Sequence, residues 1–227
     1  MLALAIDTAT TSLSSALVTE SQVLASISES ADRSHAERLP VLVNELLTKA
    51  GVARSEINLV SVGVGPGAYT GLRVGLMFGI AFAKALNVDV VGICTHDAIA
   101  PAGFTGVVAT DARRKEIYVS QYQSGSRIAG PIVVKPAEFD FANQVVIGDG
   151  VGAHPTIIQS GKNVAVDAGA LGQKAITAFL SGERPAQIEP QLGHANSDGA
   201  GAIPIGLGLL LPPLPLYLRR PDVMEPK

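Results

Sequence analysis

A chain of 227 residues is too long for a minimal module and suits one large domain or two lobes. With 16% charged side chains and a mean hydropathy of +0.33, it must bury more than one core or cover apolar surface with a partner. A formal net charge of -3 excludes a protein that grips nucleic acid by its own electrostatic pull, and a single cysteine, Cys94, excludes an internal disulfide and points to the cytoplasm. The opening Met-Leu-Ala-Leu-Ala-Ile-Asp has no basic leader and meets an acid at once, so Leu2 to Ile6 reads as a strand rather than a signal peptide. Leu13–Val18 and Val23–Ser28 read as two more strands separated by polar turns. A helix follows over 34–50. Ser34 and Glu37 supply a capping box, Gly51 a stop, and Leu39, Leu42, Val43, Leu46 and Ala50 an apolar stripe. Pro40 should kink this helix or delay its regular start.

Leu59–Val64 reads as a buried strand that runs into the glycine-rich turn Gly63-Val-Gly-Pro-Gly-Ala-Tyr-Thr-Gly and then a helix that is apolar nearly all round. At about 100° per residue, Arg73, Met77, Ile80 and Lys84 share one face, opposite Gly71, Gly75, Phe78, Gly79, Phe82 and Leu86. Either a neighbouring element of this chain or another chain must cover Met77 and Ile80. Val88–Ile93 reads as the next buried strand, His96–Ala100 as a short helical piece and Gly103–Thr105 as a hinge. A second set of strands, Gly106–Thr110, Glu116–Tyr122 and Ile128–Val134, precedes Val145–Ile147 and a helix over 170–180. Three strands joined by tight turns are antiparallel, and those separated by helices are parallel. The expected fold is therefore α/β, with two ribonuclease-H-like lobes of the actin/Hsp70/sugar-kinase (ASKHA) superfamily. The first lobe spans 1–103. The second, shortened, spans 104–227. Residues 199–218 are apolar, but Pro204, Pro212, Pro213 and Pro215 argue against a membrane helix.

Gly63-x-Gly65-x-x-Ala68 matches a dinucleotide fingerprint literally, yet Asp89 stands at the start of the following strand, whereas ribose needs an acid at its end. A phosphate-binding loop of the Walker type fails because Gly71 is followed by Leu72 and Arg73. Asp7, Thr8 and Thr10 are candidate nucleotide-binding residues, since actin-like ATPases bring an acid and hydroxyls here to metal and phosphate. The same residues also read as a hairpin turn closed by an Asx cap. His35, His96, His154 and His194 are scattered without the spacing of a helical metal site, and Cys94 reads as buried filler. No nucleophile pair is found. Asp111-Ala-Arg-Arg-Lys-Glu116-Ile-Tyr118 is a polar and aromatic cluster that orients a ligand or pairs internally.

Ala5-Ile-Asp-Thr8, Ser34-His-Ala-Glu-Arg-Leu39, Gly65-Pro-Gly-Ala-Tyr-Thr-Gly-Leu-Arg73, Asp111–Tyr118 and Leu216-Tyr-Leu-Arg-Arg-Pro221 occur in this order and resemble the TsaB (YeaZ) family. Ala68 and Tyr69 depart from the family's usual turn, and the region around 195–215 matches poorly. The resemblance implies a cytoplasmic scaffold subunit without catalytic residues of its own. It would act with a TsaD-like catalytic paralogue and a TsaE-like ATPase to form N6-threonylcarbamoyladenosine at position 37 of tRNA. It also implies dimerisation through the two helices, with itself when the paralogue is absent, at an interface of Leu39, Leu42, Val43, Leu46, Arg73, Met77, Ile80 and Lys84. The tRNA would be met only through the complex, and no membrane is involved. Thr95 and Ile99 fall where the paralogue has its two metal-binding histidines, so no metal site is expected. No cofactor is expected to be intrinsic, ATP or ADP with Mg at the partner interface being the one alternative. The competing reading is a stand-alone actin-fold nucleotide hydrolase or phosphotransferase dependent on Asp7. A protease has neither nucleophile nor zinc ligands here.

Overall fold

Strand β1 (Leu2–Asp7) is the strand from which the first sheet is built. It pairs antiparallel with β2 (Ser12–Thr19), which pairs antiparallel with β3 (Val23–Ser30). On its other side β1 runs parallel to β4 (Leu59–Gly63), and β4 parallel to β5 (Asp89–Ile93), giving the order β3-β2-β1-β4-β5. A second sheet of β6 (Gly106–Asp111), β7 (Ile117–Gln123), β8 (Ser126–Val134) and β9 (Val146–Ile147), ordered β8-β7-β6-β9 with β6 and β9 parallel, repeats the plan one strand short. These are the two ribonuclease-H-like sheets expected of an actin-like α/β fold. The computed structural model describes residues 1–30, 35–159, 161–185 and 209–218. Ser34, His194, Pro204 and the Arg219–Pro221 end of the last motif lie outside the described residues.

The period of two along β1 decides which helix covers which face. Leu4 and Ile6, with Leu17, Val60 and Val62 of neighbouring strands, point to α1 (His35–Ala50) and α2 (Tyr69–Leu86). Ala3 and Ala5, with Ala16 and Val18, point to the opposite layer, made of α3 (Thr95–Ile99) and, beyond the one-turn α4 (Gly150–Ala153) in the chain, α5 (Ala168–Leu180). Small side chains on this second face let α5 approach closely: a Cβ added at Gly172 would lie 2.6 Å from Val18 Cγ2 and 2.9 Å from Ala5 Cβ. Thus α5, though it follows the second sheet in the chain, packs on the first, and the segment 104–227 lends its helix to the core of residues 1–103.

Two local expectations change. Helix α1 runs through Pro40 without interruption, because Pro40 and Ala36 both face solvent and only the Ala36 carbonyl loses its helical donor. The apolar, proline-rich tail, which had no structural assignment from sequence, is in part a strap. Leu211 exchanges two backbone hydrogen bonds with Gly92 of β5 (2.7 and 2.8 Å), and Leu216 donates one to Val64 (2.8 Å). Leu211 and Leu216 sink into the core beneath α1 and α2, while Leu210 joins the opposite one. The strap thereby covers the outer edge of β5, where unpaired N–H and C=O groups would otherwise face water.

Candidate functional site

The ends of β1 and β6, the start of α2 and the start of α1 meet at a cleft between the two sheets. It has a volume of about 300 Å³ and its lining includes Thr10, Thr11, His35, Thr70, Asp111, Arg113 and Asp149. His35, read from sequence as a surface residue, lies on this wall, and burial lowers its pKa. Of the three candidate nucleotide residues only Thr10 lines the cleft. Asp7 is 1% exposed; its Oδ1 accepts from Ala9 N (2.8 Å) and its Oδ2 from Thr95 Oγ1 (2.7 Å). Burial raises its pKa to about 6, against the lowering pull of those two hydrogen bonds and with a further push from the Asp149 charge. Thr8 Oγ1 donates to Gly71 O (2.7 Å) and accepts from Gly75 N (3.0 Å). Asp7 and Thr8 are therefore corrected from ligand contacts to internal ties, the Asx-turn alternative being the observed one for Asp7.

These ties also explain the glycine-rich motif. A Cβ at Gly63 would stand 1.8 Å from Asp7 Oδ2, and one at Gly75 2.4 Å from Thr8 Oγ1. The missing side chains make room for the β1–β2 turn against α2, and the fingerprint match reflects packing rather than pyrophosphate. Across the cleft, Asp149 Oδ1 accepts from Asp111 N (3.0 Å), and burial raises the Asp149 pKa. Asp111 Oδ1 accepts from Arg113 N (2.9 Å), and its Oδ2 lies 3.4 Å from Arg113 Nη1. Arg113, Arg114 and Lys115 are three successive residues with φ of 61°, 54° and 63°, a left-handed turn that costs non-glycine residues about 1–2 kcal/mol each. The 111–118 cluster is thus at least partly an internal pairing, as one of its two readings had it.

The α1 residues named for a partner interface are corrected. Leu39, Leu42 and Leu46 are fully buried and Val43 is 2% exposed, all in the chain's own core under the first sheet. An apolar stripe predicts burial but not the identity of what buries it. The α2 residues fare differently. Met77 is 65% exposed, Arg73 and Lys84 are exposed, and Ile80 is half-buried. The core face of α2 is Leu72, Gly75, Leu76, Gly79 and Ala83, rotated from the face expected, with Phe78 and Phe82 half-buried beside it and stacked at 5.7 Å. Arg73 Nε donates to Tyr217 Oη of the strap (2.7 Å), and its guanidinium lies 3.9 Å from the centre of the Tyr69 ring.

Sequence reasoning missed the polar set around α3. His96 is fully buried; its Nδ1 lies 2.7 Å from Ser120 Oγ and its Nε2 2.8 Å from Thr110 Oγ1. Burial, helped by the Arg127 charge, pushes its pKa down to about 3. Asp97 pairs with Arg127 (Nε to Oδ1, 3.0 Å) and accepts from Tyr122 Oη (2.6 Å). The available signal was Asp97 and His96 inside the apolar run 90–100. Burial pushes the Cys94 thiol up to about 12, in keeping with a filler role. The Thr95 hydroxyl is spent on Asp7 and Ile99 is apolar, and among the described residues no group of three or more His, Cys, Asp or Glu could hold a metal ion. No helix among them is long and apolar enough to cross a membrane.

Two ribonuclease-H-like sheets flanking a polar cleft define the actin-like class of α/β proteins. The chain belongs to the family of TsaD, tRNA N6-adenosine threonylcarbamoyltransferase, whose family model matches residues 21–174, and its likenesses lie with the TsaB (YeaZ) proteins. It is 36% identical over 126 residues to the tRNA threonylcarbamoyladenosine biosynthesis protein TsaB of Escherichia coli, covering 53% of this chain and 54% of that one. The match therefore spans about half the length of that relative. An uncharacterised protein of Mycobacterium tuberculosis is 35% identical over 227 residues, with 96% of this chain and 92% of the relative covered. The structure of YeaZ from Pseudomonas aeruginosa superposes with a TM-score of 0.67 at 30% identity, over 80% of this chain and 93% of that one.

Proposed function

We propose that this chain takes part in forming N6-threonylcarbamoyladenosine at position 37 of tRNA, as a non-catalytic scaffold beside a TsaD-like catalytic paralogue and a TsaE-like ATPase in the cytoplasm. The observation that carries the reading is the state of Asp7 and Thr8. The two side chains that an actin-like phosphotransferase would turn toward a metal and phosphates are closed into the packing of α2 and α3. On the cleft wall Asp149 Oδ1 accepts from the Asp111 backbone and the Asp111 carboxylate is paired with Arg113, so these polar groups are engaged with the chain itself. The exposed α2 face with Met77 at its centre and Arg73 and Lys84 at its rim has the composition of an interface. It is the surface proposed to meet the paralogue, or a second copy of this chain in its absence, and tRNA is reached through that assembly.

The test is tRNA modification in vitro with a TsaD-like paralogue, a TsaE-like ATPase, ATP and threonylcarbamoyl-adenylate, with and without this chain. Product formed only when this chain and the paralogue are both present supports the proposal. Turnover by this chain without the paralogue overturns it in favour of a stand-alone enzyme of the hydrolase or phosphotransferase kind.

A further inference from the structure

Helix α3 is five residues long, and all five are buried. It lies where the chain leaves the first sheet for the second, and its polar groups are bonded to both. Toward the first sheet, Thr95 Oγ1 donates to Asp7 of β1 (2.7 Å), and Thr95 N donates to Gly65 O in the turn before α2 (2.8 Å). From α5, packed on the same sheet, Lys174 Nζ donates to the carbonyl oxygens of Asp97 and of Ala100 (2.9 Å for the latter). Toward the second sheet, His96 bonds Thr110 of β6 and Ser120 of β7 at once. Asp97 accepts from Tyr122 of β7 and from Arg127 of β8, whose Nη1 donates on to Gly130 O (3.0 Å). The side chains of the Arg127–Asp97 pair are 3% and 6% exposed. Ile93 and Ile99 share one continuous apolar cluster with Val108 and Ile147 of the second sheet.

The enclosure of these groups matters more than their number. At a surface, water replaces a broken hydrogen bond, whereas here each broken bond strands a buried charge or polar atom. A rotation of one sheet against the other would have to rupture the His96, Tyr122 and Arg127 bonds together, or else drag Thr95 off Asp7 and Lys174 off the α3 carbonyls. We propose that α3 is a lock that fixes the relative orientation of the two sheets, so that the cleft between them is a rigid groove and not a jaw that closes on a ligand. Domain closure in two-lobed proteins needs a connection that absorbs backbone rotation; in this chain that connection is clamped on both sides.

The lock can be tested on the full chain without reference to tRNA modification. Spin labels are placed at cysteines substituted for Lys49 on α1 and Lys135 beyond β8, both exposed, with Cys94 left in its buried place. Double electron–electron resonance should give one narrow distance distribution, the same with and without saturating Mg-ATP. The same labelled chain carrying Arg127→Gln should give a broadened or split distribution. A broad or nucleotide-dependent distribution in the parent, or an unchanged narrow one in a folded Arg127→Gln variant, overturns the proposal. If Arg127→Gln does not fold, hydrogen exchange on the unmodified chain decides. Amides of Thr95–Ile99 should exchange within about tenfold of the slowest amides of β1, and exchange faster than that by way of a partial opening overturns the lock.

Discussion

Replacing Asp7 by Asn should stabilise the protein at neutral pH and remove a pH dependence that the carboxylate imposes. The pKa of Asp7 rises from 3.8 to about 6 on folding, because burial disfavours its charge more than Ala9 N–H and the Thr95 hydroxyl favour it. The folded state therefore holds the proton more tightly than the unfolded one. The corresponding stability is full below pH 3.8 and is lost as pH rises through 6. A shift of about two units corresponds to about 3 kcal/mol, so at neutral pH the ionised Asp7 leaves the protein about that much less stable than its protonated form would. In Asp7→Asn the Ala9 bond survives, while an amide NH₂ replaces Oδ2 and the Thr95 hydroxyl must turn away, at a cost of about 1 kcal/mol. The variant should thus exceed the parent by about 2 kcal/mol near pH 7.5 and fall about 1 kcal/mol below it near pH 3. His96, with its pKa pushed down to about 3, favours folding above pH 6.5 and withdraws that support as pH falls toward 3. This opposite slope is common to both proteins and cancels in their difference. The assay is urea unfolding followed by circular dichroism across that pH range. A difference between the two proteins that does not change with pH, or an Asn variant weaker than the parent at neutral pH, would refute the reasoning.

Met77→Asp should leave the melting temperature nearly unchanged, within about 0.5 kcal/mol for so exposed a side chain, while abolishing self-association and co-purification with the paralogue. Analytical ultracentrifugation reads both forms, and unaltered association removes α2 from the interface. Leu42→Ala, by contrast, should cost about 2–5 kcal/mol of stability by leaving a cavity under the first sheet, with association changed only as far as unfolding requires. Gly75→Ala should cost about 1–3 kcal/mol in a thermal melt, since the new methyl would stand 2.4 Å from Thr8 Oγ1 and force α2 away from the β1–β2 turn.

The strands were legible because their apolar runs are short and bounded by turn residues: Leu2–Ile6 and Val88–Ile93 both fall on strands within one residue at each end. The order of strands and helices was enough to give the pairing directions of the first sheet and of β6 to β8, but not the parallel pairing of β9 with β6, which no intervening α-helix announces. Helix α2 was less legible. Being apolar nearly all round, it carries no polar face to fix its rotation, so the contact through Leu72 and Leu76 instead of Phe78 and Phe82 was hidden. The stripe on α1 was read correctly as apolar but could not distinguish the chain's own sheet from another subunit. The same limit hid the cleft's real lining. Asp7 and Thr8 are the residue types a phosphate site uses, and only their partners, Thr95 and Gly75, both more than sixty residues away, show them occupied. The α3 ties are also long-range, joining Asp97 to Arg127 and Lys174.

The strap across β5 sets a timetable for the molecule's birth. The strands of the first sheet are all present in the growing chain once Ile93 has been made, yet the edge at Gly92 is not closed until Leu211 arrives. At bacterial or eukaryotic synthesis rates that interval lasts on the order of ten seconds. During it, β5 offers a bare hydrogen-bonding edge to any neighbouring nascent chain, and Tyr69 and Arg73 lack their Tyr217 cover. A ribosome that stalls or terminates between these points releases a sheet with an adhesive margin. Premature termination before Leu211 should therefore yield aggregates rather than a shortened, functional subunit.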